Sequence, residues 1–176
     1  MATPAGVDEI CIRIERPDDV ATIQRITGQA FAQVAHASGS EARIIDSLRE
    51  AGVLLSWVAE SAEGGVVGQV SLSPVWIGDS SEGWFGLGPI AVDPQYQRRG
   101  VGSRLVETAM SYLRSIGACG CILIGDPGWY RRFGFLPAPD MHFAEVSAPW
   151  LMVLPFVEDW PRGEVHYHPA FMSALA

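Results

Sequence analysis

The sequence predicts an α/β (α+β) fold: a central mixed sheet, mostly antiparallel, flanked by helices. Three observations lead there. Short apolar or alternating segments are interleaved with segments whose apolar residues recur at helical spacing. Three successive strand-like segments are separated by glycine-bearing turns, which favours an antiparallel meander. After them, IAV, a helical segment and CILIG form a βαβ unit, so those two strands should be parallel neighbours.

The elements follow in order. EICIRIERP is a strand by the alternation of Ile10, Ile12 and Ile14. Pro17, Asp18 and Asp19 then open a helix, with proline in its first turn and acids at its positive end. Val20, Ile23, Ile26 and Phe31 form that helix's apolar stripe. A polar loop, HASGS, leads to EARIIDSLREAG, where Ile44, Ile45 and Leu48 share a face and Gly52 ends the helix. VLLSWVAES, VVGQVSLSPVWI and WFGLGPIAV are the three meander strands, with turns at EGG and GDSSEG. SRLVETAMSYLRSIGA is a helix with its stripe on Val101, Leu105, Val106, Ala109, Leu113 and Ile116, stopped by Gly117. CILIG is a short buried strand. In DPGWYRRFGF, Asp126 caps a helix that starts at Pro127. WLMVLPF is a further strand, free to pack internally or to form a homodimer seam, and the tail EVHYHPAF is read as strand. No linker, repeat or low-complexity segment divides residues 1–176, which are expected to form a single domain.

Composition narrows the chemistry. The formal charge of -8 disfavours nonspecific nucleic-acid binding, which depends on neutralising phosphates. No apolar run approaches the roughly 20 residues of a membrane helix, and MATPAGVDEI lacks the basic-then-apolar pattern of a secretory signal. A cytoplasmic protein without membrane partners is expected. All twelve basic residues are arginine. The lack of lysine excludes Schiff-base chemistry and a Walker A loop. Cys119 and Cys121 form a Cys-x-Cys pair with no second pair to complete a zinc site, so buried free thiols and no metal are expected.

One stretch gathers positive charge on this acidic chain: YQRRGVGSRL, residues 96–105. It is not a Rossmann fingerprint, because Leu105 stands where the third glycine belongs. It does set a strand, an arginine-bearing turn, Gly-x-Gly and a helix in sequence. That order aims free backbone N–H groups and the helix dipole at one point, and glycine lets an anion approach the main chain. Taken alone, Gly100 and Gly102 could equally make a sharp turn with solvated arginines. The preceding strand adds a second signal. Gly88-Pro89 lies inside an apolar run, and proline cannot donate to a ladder, so a bulge with unused backbone groups is expected there. Unused strand backbone beside an anion site suits coenzyme A, which carries a pyrophosphate and an amide-bearing pantetheine arm.

GPIAVDPQYQRRGVGSRL resembles motif A of the GNAT acetyltransferase superfamily, whose Gln/Arg-x-x-Gly-x-Gly/Ala signature is met by Gln97, Arg98, Arg99, Gly100, Val101 and Gly102. GDPGWYRRFGFLPA resembles that family's motif B, in the form found in small bacterial members with a GDPxYYxRFGF-like segment. The resemblance spans roughly residues 10–170 in the order of elements. It implies the GNAT fold, with the sheet splayed between the strand ending at Val92 and CILIG, and acetyl-CoA as acetyl donor in the opening. Main-chain groups of Ile90, Ala91 and Val92 would hold the pantetheine like an added strand. Amides from Arg98 to Ser103 would hold the pyrophosphate.

The resemblance also implies N-acetyl transfer to an amine acceptor by direct attack in a ternary complex. Tyr130 matches the family tyrosine beside the coenzyme sulfur, and a phenol of pKa about 10 can share a proton with a departing thiolate. The sequence departs from many members in having no ionisable residue on WFGLGPIAV, where a Glu or His base is common. Asp126 suits a helix cap and Glu82 a solvated turn; His166 and His168, at strand alternation, would share a face and could line the acceptor site. An amine that arrives neutral needs no dedicated base. The missing base is also what a non-catalytic acyl-CoA-binding sensor would show.

Overall fold

In the computed structural model, residues 10–34, 37–79 and 82–176 are described. The N-terminal segment 1–9 and parts of the HASGS and GDSSEG loops lie outside them. The chain runs β1 (Cys11–Ile14), α1 (Val20–Phe31), α2 (Glu41–Glu50), β2 (Leu55–Glu60), β3 (Val66–Ile77), β4 (Trp84–Val92), α3 (Val101–Ser115), β5 (Gly120–Ile124), α4 (Pro127–Tyr130), β6 (Leu136–Pro137), β7 (Met141–His142), β8 (Leu151–Pro155), β9 (Gly163–Tyr167) and α5 (Pro169–Leu175). Single 3-10 turns at Pro17–Asp19 and Arg131–Phe133 lead into α1 and out of α4.

The strands form one mixed sheet in the order β1-β2-β3-β4-β5-β8-β6, with β9 on the far end of β3 and β7 beside β9. The meander is antiparallel, and β4 and β5 are parallel neighbours, as the βαβ reading requires. Two helical layers cover it. On one face α3 buries Val101, Leu105, Val106, Ala109, Met110 and Leu113 against Trp57, Val70, Leu72 and Leu87. On the other, Ile23, Ile26 and Ile45 of α1 and α2 pack on Val58, Val66 and Ala91. Alternation along β3 and β4 sends neighbouring residues to opposite layers. Thus Ile90 joins the α3 side and Ala91 the α1/α2 side.

Four expectations are corrected or resolved. Ile116 does not complete the α3 stripe; it is 48% exposed, because α3 ends at Ser115 and Gly117 turns the chain away with φ +73°. EVHYHPAF is strand only to Tyr167. Pro169 cannot extend a ladder, and His168 Nδ1 accepts a hydrogen bond from Ala170 N–H at 3.1 Å, which caps α5. Of the Cys-x-Cys pair only Cys121 is buried; Cys119 is half-buried, and Cys11 is exposed. WLMVLPF packs internally: Leu151, Met152 and Val153 are buried where β8 runs between β5 and β6.

Candidate active site

The site is a fork in the sheet. β4 and β5 pair only at Trp84–Gly120, Phe85–Cys121 and Gly86–Ile122. Above Gly86 the β5-facing edge of β4 has no strand partner among the described residues, while β5 stays tied to β8 up to Ile124. β4 stays tied to β3 across the same stretch, through Val70–Ile90, Gln69–Ala91 and Gly68–Val92. The register jumps between Leu72–Leu87 and Val70–Ile90, so Gly88 and Pro89 together oppose Ser71. This is the bulge expected from the Gly-Pro pair.

Beyond Val92 the chain is folded tightly into α3. Asp93 accepts from Gln95 N–H at 3.0 Å, and Gln97 Nε2 donates to the Val92 carbonyl at 3.0 Å. Arg98 and Gly100 both take positive φ, +59° and +80°. A left-handed arginine stores strain, and such strain concentrates at ligand clamps. Gly100 is the N-cap of α3, with no side-chain cap and no acid in the first turn. The first N–H groups of a helix have no intrahelical partner. Here no side chain caps them, and the dipole adds positive potential.

Across the fork, Gly125 and α4 place Tyr130. Asp126 caps the turn by accepting from Gly128 N–H at 2.8 Å, the structural role foreseen for it. The Tyr130 ring packs against Gly125: a Cβ there would fall 2.4 Å from Cε2. Its edges meet Trp129 and Phe135, with ring centres 4.7 and 5.9 Å away. Only 8% of Tyr130 is exposed, and burial, with a smaller contribution from nearby Cys121, pushes its phenol pKa up. The group is therefore a protonated donor at neutral pH.

These parts enclose a cleft of about 800 Å³. Ile90, Ala91, Val92, Gln97, Arg98, Gly100, Gly102, Ser103 and Tyr130 all line it. Arg99 and Val101 do not: Arg99 lies over the Tyr96 ring at 5.5 Å, and Val101 is buried in the α3 core. What these two can offer a ligand is main chain. His166 and His168 do not line it either. His166 is exposed, and His168 caps α5. Glu82 is exposed at the closed, lower end of β4. Arg132, which the sequence offered with Arg131 either to a phosphate or acidic group or to solvent, also lines the cleft. The sequence reading missed Trp129, next to Tyr130 in the quoted motif, and Ala30, Phe31 and Val34 of the α1 end, which no local pattern marks. Among the described residues no cluster of three or more His, Cys, Asp or Glu could hold a metal ion.

Known proteins are similar to this chain in sequence and fold. The model of the acetyltransferase (GNAT) domain matches residues 54–137. The N-acetyltransferase YhbS of Escherichia coli K12 is 37% identical over 125 residues, 70% of this chain and 72% of that protein. The chain belongs to the GNAT acetyltransferase family. A GNAT family acetyltransferase from Brucella melitensis, solved in complex with acetyl-CoA, is 44% identical with a TM-score of 0.81, over 92% of this chain and 97% of that one. E. coli YhbS, solved in complex with CoA, is 31% identical with a TM-score of 0.85, over 98% and 96% of the two chains. This GNAT protein is thus an acyltransferase by family.

Proposed function

We propose that the protein is an acetyl-CoA-dependent N-acetyltransferase that moves the acetyl group to a primary amine, on a small molecule or a protein N-terminus, by direct attack in a ternary complex. One observation carries the reading. A strand unpaired on one edge, an uncapped helix N-terminus and a buried protonated tyrosine border one cleft. The fit to the donor is good at each end. The free edge of β4 offers Ile90 to Val92 to an amide-bearing arm, and the amides at the start of α3 suit a pyrophosphate. Gly102 leaves the main chain open, since a Cβ there would meet nothing closer than 3.5 Å. Arg98 and Arg132 stand exposed on the cleft's lining. The Brucella and E. coli relatives, crystallised with acetyl-CoA and CoA, support the same donor.

In this reading a β4 main-chain N–H near the bulge polarises the thioester carbonyl. The amine nitrogen forms the new bond to the acetyl carbon as the carbon–sulfur bond breaks. Tyr130 gives its proton to the departing sulfur. The test is thiol release from acetyl-CoA with a panel of primary amines. Tyr130→Phe should lower kcat about 100-fold while CoA affinity stays within twofold. An active wild type with an equally active Tyr130→Phe would remove the acid role. CoA binding without turnover on any amine would count for a non-catalytic binder.

A further inference from the structure

Acetyl transfer also takes a proton off the acceptor nitrogen, and β4 has no ionisable side chain to receive it. The sheet face under α1 and α2 supplies other groups at the same height. Gln69, Ser71 and Ser73 of β3 are 0%, 0% and 1% exposed. Gln69 stands opposite Ala91 and Ser73 opposite Gly86, which puts the row on the α1/α2 side. Gln69 Nε2 donates to Ser56 Oγ at 2.9 Å and to Ser71 Oγ at 2.7 Å. Gln69 Oε1 and Ser73 Oγ have no hydrogen-bond partner among the described residues. Buried polar atoms are almost always paired, and exceptions point to water or a ligand. A half-satisfied row is also worse for folding than an apolar one, so stability alone does not explain it.

The row's position supplies the reason. Ser71 stands opposite the bulge at Gly88 and Pro89, where the proposed mechanism polarises the thioester carbonyl. β4 offers Gly86 and Gly88 there in place of side chains, and a Cβ on Gly88 would meet nothing within 4 Å. Tyr167 closes the lower end, since a Cβ on Gly86 would fall 2.8 Å from its Cε1. Ser71, flanked on the same face of β3 by the unpaired Gln69 Oε1 and Ser73 Oγ, thus stands directly opposite the bulge.

We propose that Gln69, Ser71 and Ser73 form the acceptor-side polar site, holding internal water beside the β4 bulge that takes the proton from the acceptor nitrogen. This rests on the N-acetyltransferase reading. The balance is simple. One proton leaves nitrogen through this water to solvent, one passes from Tyr130 to sulfur, and the tyrosinate regains one from solvent. The row replaces an ionisable base with a fixed water. Its members are positioning residues.

Two measurements decide it. A high-resolution crystal structure of the protein with CoA should show ordered water within hydrogen-bond distance of Ser73 Oγ and of Gln69 Oε1. Ser73→Ala should lower kcat at least tenfold for whichever panel amine the wild type acetylates fastest. Acceptor KM and CoA Kd should stay within twofold, and Tm should be unchanged or raised. Gln69→Leu, of similar volume, carries the same expectation should the first variant not fold. A dry row, or kcat within twofold of wild type, overturns the proposal. A wild type that acetylates no amine removes the reading beneath it, and the proposal with it. That failure shows in the parent protein before any variant is made.

Discussion

In the lower, paired half of the fork, glycines are covered by aromatic rings; in the upper, open half, two of them border space. A Cβ on Gly120 would fall 2.4 Å from Trp84 Cζ3, and one on Gly86 would fall 2.8 Å from Tyr167. Gly88 has nothing within 4 Å, and Gly102 only ordinary contacts with Trp129 and Val92. The same residue type thus does two jobs around one fork. Where a ring fills the gap, glycine lets the sheet close. Where nothing fills it, glycine leaves the main chain open to a ligand. Gly125 joins the two roles, because the ring it admits is that of Tyr130.

The comparison breaks most visibly at Gly125. Gly125→Ala should push the Tyr130 ring off its seat and lower kcat about 100-fold, the scale of an ångström's misplacement of a reacting group. Melting temperature should change little, and steady-state kinetics beside a thermal melt check both. Gly120→Ala should do the reverse. The added methyl meets Trp84 and the Leu154 carbonyl, so urea unfolding should show a loss of about 2 kcal/mol from overpacking. CoA affinity of the folded fraction should hold. A stable Gly120→Ala with weak CoA binding would erase the division between the halves. The smallest effect concerns pH. Burial raises the Tyr130 pKa, so its acid form persists beyond the usual titration at about pH 10. The rate should show no alkaline loss from this group up to that pH. A loss near pH 8 would contradict a buried, protonated Tyr130.

The open half was the more legible one in the sequence, for a physical reason. Its parts are local: a proline that must interrupt a ladder, glycines at a helix start, and a capped turn that carries Tyr130. Each is written in a few adjacent residues. The covering of the closed half was not legible. Tyr167 reaches Gly86 only because β9 pairs with the far end of β3. No periodicity announces that pairing. The α1 end of the cleft, with Ala30, Phe31 and Val34, is likewise a product of helix packing. The miss at α5 had a readable signal, since Pro169 after a capping residue is a helix start. Ile116 fitted the helical stripe in spacing, but Gly117 ends the helix before the stripe reaches it.

The central claim is that main chain, opened by glycine at the start of α3, holds the donor's pyrophosphate. Calorimetric titration of CoA into Gly102→Val, Arg98→Ala and Arg99→Ala tests it directly. Gly102→Val, whose side chain would crowd the Trp129 ring and the free amides, should weaken CoA more than tenfold. Arg98→Ala should cost less, and Arg99→Ala, whose side chain lies over Tyr96, least. An arginine variant that binds CoA more weakly than Gly102→Val would show that side chains, not backbone amides, hold the anion.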